Sequence, residues 1–298
     1  MISFKHPSVL LSTLLLAASP YAMATIDVLS LWNYDDPAAS EVRFRELIKS
    51  ASADDAAILE TQIARTFGLR RRFDDARTLL SSLEPRLSKL NAEAQVRYHL
   101  EYGRTLISPV HSKAEKTPEA QAAARRAYLT AYEIARKSKL DYLAIDALHM
   151  LPFVDTDNES TMKWTKLALD TTVQSTQPES KKWESLLRHN YGYYLHTQGQ
   201  HEEALAVFQA NVPITEAGGN GTKIRIAHWM VGWTLQSLGR LDEALAIQLR
   251  LEQENAQDST PDQYVFEELA HLYKAKGDVT KAKHYAELHE QQKAAKAK

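Results

Sequence analysis

The chain has 298 residues, with 36 Lys and Arg against 38 Asp and Glu, no Cys, and 44% hydrophobic side chains. That apolar content supports a packed core and excludes a disordered chain, the absence of Cys excludes disulfides and Cys-ligated zinc, and the near-neutral charge gives no case for nucleic acid as a partner. Gly plus Pro is 20 of 298 residues, about 7% against roughly 12% on average, which is too few turn-formers for a many-stranded β protein.

Residues 1–24 read as a cleaved signal peptide. Lys5 and His6 give a positive start, Val9 to Ala18 is an apolar run too short to span a membrane, and Ala22-Met23-Ala24 supplies a small-x-small cleavage site. Cleavage after Ala24 would leave Thr25 first, with a periplasmic or secreted chain and no integral membrane insertion. Residues 25–55 form an amino-terminal segment with a leading helix, Pro37 to Ser50. Helices are then expected over Ala56 to Leu69, Phe73 to Leu83, Asn91 to Ile107, Glu119 to Ser138, Asp141 to Leu151 and Glu159 to Val173. Ser108 to Pro118, polar and with two prolines, is the expected flexible loop. Further hairpins are expected over Lys181 to Ala210, Lys223 to Gln253 and Asp262 to Gln292, and residues 293–298 form a basic tail expected to fray.

One spacing recurs through these elements. Gly192, Gly199 and Ala204 are separated by seven and then five positions, as are Gly232, Gly239 and Ala244, Ala270, Gly277 and Ala282, and Ala64, Arg71 and Ala76. The first small residue admits a close helix approach, the turn residue takes the left-handed conformation, and the Ala is the packing point on the second helix. A recurrence near 40 residues marks a solenoid of helix hairpins.

This pattern resembles the tetratricopeptide repeat, whose small residue, turn Gly, Ala and aromatic stand here as Gly192, Gly199, Ala204 and Phe208. It departs from the family at the Trp position, occupied by Arg188, His228 or Phe266, and in lacking the closing Pro. The stretches Asp35 to Glu41, Gln62 to Arg65, Asp146 to Leu151 and Gly239 to Gln248 are similar to segments of a group of bacterial exported tetratricopeptide-repeat proteins. The resemblance implies an all-α, right-handed superhelical solenoid of about six hairpins over residues 56–292, and no activity.

Motifs that could carry chemistry are weak. His201-Glu202-Glu203-Ala204-Leu205 begins like a zinc-protease helix but lacks the second His. Gly218-Gly219-Asn220-Gly221-Thr222-Lys223 is similar to a phosphate loop, yet no strand precedes it. Arg70-Arg71-Arg72 is followed by Asp74-Asp75 and reads as a self-compensated corner, and His149 reads as a hydrogen-bonded core residue. No cofactor, metal or enzymatic activity is expected.

Aligning the first helices by their packing residue gives a stripe along the expected concave face. It holds Arg65 and Arg104 at one end, an aliphatic middle, and then His189, Tyr193, His196, Trp229, Trp233, Gln236, His271 and Lys274, with Arg225 one turn before Trp229. Arginines and aromatics suit a protein or peptide partner with an acidic end and bulky side chains. The alternative ligand is a glycan or cell-wall fragment stacked on the aromatics.

Overall fold

The computed structural model describes residues 26–260 and 262–296. The expected signal peptide, its cleavage site after Ala24, and Thr25 lie outside them. Among the described residues there is no strand. The α-helices are α1 (Pro37–Ile48), α2 (Ala53–Leu69), α3 (Phe73–Leu83), α4 (Ala92–Leu106), α5 (Pro118–Lys137), α6 (Asp141–Met150), α7 (Asn158–Gln174), the short α8 (Pro178–Lys181), α9 (Glu184–Thr197), α10 (His201–Ala217), α11 (Gly221–Ser237), α12 (Leu241–Gln257), α13 (Gln263–Ala275) and α14 (Val279–Lys296). Six hairpins result: α2/α3, α4/α5, α6/α7, α9/α10, α11/α12 and α13/α14. Each packs on the next in order, and α1 covers α2 at the amino-terminal end. The protein is an all-α helical-repeat solenoid.

The recurrent spacing does what its chemistry predicts. Gly199, Gly239 and Gly277 have φ of 75, 73 and 80°, and Arg71 takes the same region at 59°. The helices that follow three of these turns, α3, α10 and α12, begin without a side-chain cap but carry Asp74 and Asp75, Glu202 and Glu203, and Asp242 and Glu243 in their first turns. Those acids face the positive end of the helix dipole. A Cβ on Gly103 or Gly192 would fall 2.6 Å from the ring of Tyr128 or Phe208, so glycine lets the second helix seat an aromatic on the first. In the fifth hairpin Gln248 takes that seat beside Gly232; it is fully buried, and neither atom of its amide has a hydrogen-bond partner.

Several expectations are corrected. The segment expected to be a flexible loop is pinned: His111 is buried, stacks on Phe73 at 4.1 Å and bonds Ser108, and residues 113–115 form a capped 3-10 turn. Arg70 and Arg71 do not compensate locally. Arg70 pairs with Glu41, Arg71 with Glu115 and the Val110 carbonyl, and only Arg72 turns to Asp75. Helix α10 runs past its expected end at Ala210 and through Pro213, because Val212 packs against the core beyond that point and the buried Thr215 hydroxyl bonds the Asn211 carbonyl at 2.9 Å. Helix α14 extends past its expected end at Gln292 to Lys296.

Candidate functional site

In the first three hairpins the first helices meet through charge. Arg65 on α2 reaches Glu101 on α4 at 3.5 Å, Arg104 lies 2.5 Å from the same carboxylate, and its other guanidinium nitrogen pairs with Asp146 on α6. Burial opposes the charge on Asp146, yet Arg104 and Arg65 overcome it and hold its pKa below the ordinary carboxylate value. Burial likewise opposes the charge on Arg104, and Asp146 and Glu101 hold its pKa above the ordinary value. A cavity of about 340 Å³ opens over this network, walled also by His149, Met150, Phe153 and Trp183. His149 packs against Phe153 and Trp183 at 5.9 and 5.1 Å, so aromatic contact takes the place of the hydrogen bond expected for it. Burial lowers its pKa.

Across the last three hairpins the same helix faces carry rings. Tyr264 on α13 meets Trp229 on α11 edge-on at 6.3 Å, Trp229 stacks on Trp233 at 5.6 Å, and Trp233 stacks on His196 of α9 at 3.4 Å. Tyr193 lies 6.1 Å from Trp233, and His201 closes the series 4.6 Å from His196. Burial and the neighbouring His201 push the His196 pKa down to about 4, so the ring against Trp233 is neutral at pH 7. Its Nε2 bonds Ser237 Oγ at 3.0 Å.

Two cavities flank α11. One, of about 570 Å³, lies between α9, α10 and α11 and is lined by Lys181, Lys182, Leu186, His189, Asn211 and Lys223 among others. The other, of about 700 Å³, lies between α11, α12 and α13 and is lined by Arg225, Trp229, Leu251, Asn255, Tyr264 and Val265 among others. Ile226, 43% exposed, lines both. Asn211 Oδ1 and Trp229 Nε1 are buried without hydrogen-bond partners.

The structure therefore sorts the stripe into three sets. Arg65 and Arg104 are consumed by Glu101 and Asp146, so the end expected to receive an acidic group offers no free cation pair. His189, Tyr193, His196, Arg225, Trp229 and Trp233 come together around α9 and α11, with Arg225 paired to Asp258 at 2.6 Å. Gln236, His271 and Lys274 line neither cavity. Sequence reasoning missed Lys181, Lys182, Lys223, Ile226 and Tyr264, which continue the same faces toward the helix starts, and Asn211 and Asn255. Those two asparagines belong to second helices, outside any reading of the first helices alone.

Among the described residues no group of three His, Asp or Glu side chains is placed to hold a metal ion, and no helix is long and apolar enough to cross a membrane. No protein-family model matches the sequence, and no curated protein sequence matches it. Solved structures do. The chain is similar to RapI in its apo form, with a TM-score of 0.66 at 13% identity over 86% of this chain and 71% of that one. It is similar to a signal transduction ATPase with numerous domains, carrying a tetratricopeptide repeat sensor, from Pyrococcus horikoshii, with a TM-score of 0.66 at 12% identity over 87% of this chain and 39% of that one. Aspartyl phosphate phosphatase F from Bacillus subtilis gives 0.50 at 15% identity over 89% and 78%. At these identities the likeness is one of fold: a tetratricopeptide-like helical repeat.

Proposed function

We propose that the chain is an exported, non-enzymatic scaffold that binds a protein or peptide along the first-helix faces of its last three hairpins. The observation that carries this reading is the pair of cavities flanking α11, with an aromatic series beside them and buried polar atoms left without partners at Asn211 and Trp229. Convergent apolar walls with a few unpaired polar groups are what a binding site requires. The fold does not choose the job, since it accompanies proteins described as a phosphatase and as a sensor. The charged start, short apolar run and Ala22-Met23-Ala24 support export, and amino-terminal sequencing of protein from its native host should return Thr25.

The test of binding is Ile226→Glu, which places a charge on the exposed wall shared by both cavities. The expected outcome is an unchanged melting temperature and loss of the protein captured from a cell-envelope extract. Undiminished capture would remove this face from the reading, and capture of glycan fragments in place of protein would replace the ligand class.

A further inference from the structure

Residues 26–36 form a strap that leads into α1. A 3-10 turn over Val28–Leu31 starts it, and Pro37 at the first position of α1, with Asp36 as its cap, ends it. Between these ends the strap is pinned. The Asn33 N–H donates to Ser40 Oγ at 2.8 Å, Ser40 Oγ donates to the Asn33 carbonyl at 3.0 Å, and Trp32 Nε1 donates to Gln62 Oε1 at 3.0 Å. Tyr34 lies flat on Trp32, with ring centroids 4.7 Å apart and planes 5° from parallel, and Trp32 meets the fully buried Phe44 edge-on at 5.2 Å. Tyr34 is nevertheless 56% exposed. A ring fixed from behind and left open in front is preorganised for a ligand, because little side-chain freedom remains to be lost on binding.

Tyr34 lines a cavity of about 270 Å³ together with Leu29, Tyr142 of α6, Glu179 of α8, and Lys182 and Trp183 in the link to α9. Tyr142 and Trp183 lie 6.0 Å apart with planes inclined by 52°, and His149 backs Trp183 at 5.1 Å. Rings from the strap, from the third hairpin and from the start of the fourth therefore wall one cavity. Such ring faces attract a positive charge within about 6 Å. A quaternary ammonium suits them because it has no N–H to satisfy, whereas a primary ammonium would lose its bonds to water. Lys182 and Glu179, joined at 2.5 Å, put one charge of each sign on the rim. The cavity walls thus carry no net charge, which suits a molecule that is neutral overall and carries both signs. We infer that this cavity binds a small trimethylammonium zwitterion of the betaine or phosphocholine class. The trimethylammonium group sits among Tyr34, Tyr142 and Trp183, and the anionic group meets Lys182 at the rim. Leu29, Tyr34 and Tyr142 line neither cavity beside α11, so this site is separate from the protein-binding reading above.

The test is isothermal titration calorimetry of the purified protein with glycine betaine, phosphocholine, choline and glycine. At least one methylated zwitterion should bind about ten-fold or more tightly than choline, which lacks the anion, and than glycine, which lacks the methyl groups. Tyr34→Ala should abolish that binding with the helical signal unchanged, and Tyr34→Phe should retain it, since the ring and not the hydroxyl holds the ligand. Lys182→Gln should erase the preference over choline and keep the dependence on Tyr34. Ile226→Glu should leave the titration unchanged, so each reading can fail while the other stands. Sedimentation with phosphatidylcholine vesicles, lost in Tyr34→Ala, would support the site with a lipid headgroup as its source, and saturation by glycine betaine without vesicle binding would support it with a free molecule. Choline or glycine binding as tightly as the zwitterions, binding indifferent to Tyr34→Ala, or no binding of any probe at millimolar concentration overturns the inference.

Discussion

Every buried side-chain nitrogen or oxygen that lacks a hydrogen-bond partner among the described residues lies at Ser180 or beyond. Before that point the first-helix faces are closed by their own chemistry: Arg104 is shared between Glu101 and Asp146, Arg65 supports Glu101, and the Tyr128 hydroxyl bonds the Ile107 carbonyl at 2.6 Å. After it, Asn211, Trp229, Gln248 and Glu268 hold polar atoms that no described residue satisfies. The two halves share a packing code and differ only where that code leaves residues free. A half whose charges are mutually paired needs no ligand to satisfy them, whereas a half with unpaired buried groups is destabilised until something bonds them.

The largest break in this comparison should come from Arg104→Ala. It leaves Asp146 without its paired cation and Glu101 with only Arg65 at 3.5 Å, and loss of one member of a buried pair costs about 3–5 kcal/mol. Urea unfolding should register it, and a loss below about 1 kcal/mol would mean that the network is solvated rather than buried. A smaller effect, about 2 kcal/mol, is expected for Trp233→Ala. Trp233 is half-buried between His196 and Trp229, so the variant should melt lower, where a free-standing aromatic would leave the melting temperature unchanged.

Glu268 sharpens the contrast through pH. Burial, with a smaller contribution from Glu267, raises its pKa from the ordinary 4.5 to about 7, and its Oε2 has no partner. The folded state therefore holds the proton more tightly than the unfolded chain. The associated stability is fully present below about pH 4.5 and is lost as pH rises through about 7. Between pH 5 and pH 8 the native chain should lose on the order of 2 kcal/mol relative to Glu268→Gln. Urea midpoints of the two proteins at both pH values measure it, and a gap that does not change with pH would show that the carboxyl is not desolvated. Asp146 has the opposite sign: its lowered pKa stabilises the fold above the ordinary carboxylate range, and that stability is lost on strong acidification.

Much of the backbone was legible because its signals are local. The turn at Gly199 needs a positive φ, Gly192 needs to be small under Phe208, and Phe73 to Leu83 repeats an apolar face, so each constraint is written within a few residues of where it acts. Legibility failed where a distant contact competed with a local signal. Ala210 reads as the end of α10, but the helix continues through Pro213 because Val212 packs against the core beyond it. Ser108 to Pro118 reads as a free loop, but His111 and the Arg71 bonds to Val110 and Glu115 tie it to α3 and to the first turn.

The candidate site divides along the same line. The aromatic series was visible as Tyr193, His196, Trp229 and Trp233 because residues on one face of a helix recur at helical spacing. The state of the arginines was not, since Arg65 meets Glu101 and Arg104 meets Asp146 only after three first helices are set side by side. Nor were the two cavities themselves, whose linings draw on Asn211 and Leu251 from second helices. By itself the sequence determined the helical class, the hairpin spacing and the ring-bearing face, all of which depend on torsional preference and a period of 3.6 residues. The tertiary structure alone decided which charges are neutralised, which polar atoms are left unpaired and where the cavities open, because pairing and desolvation are properties of neighbours that the chain brings together only when it packs.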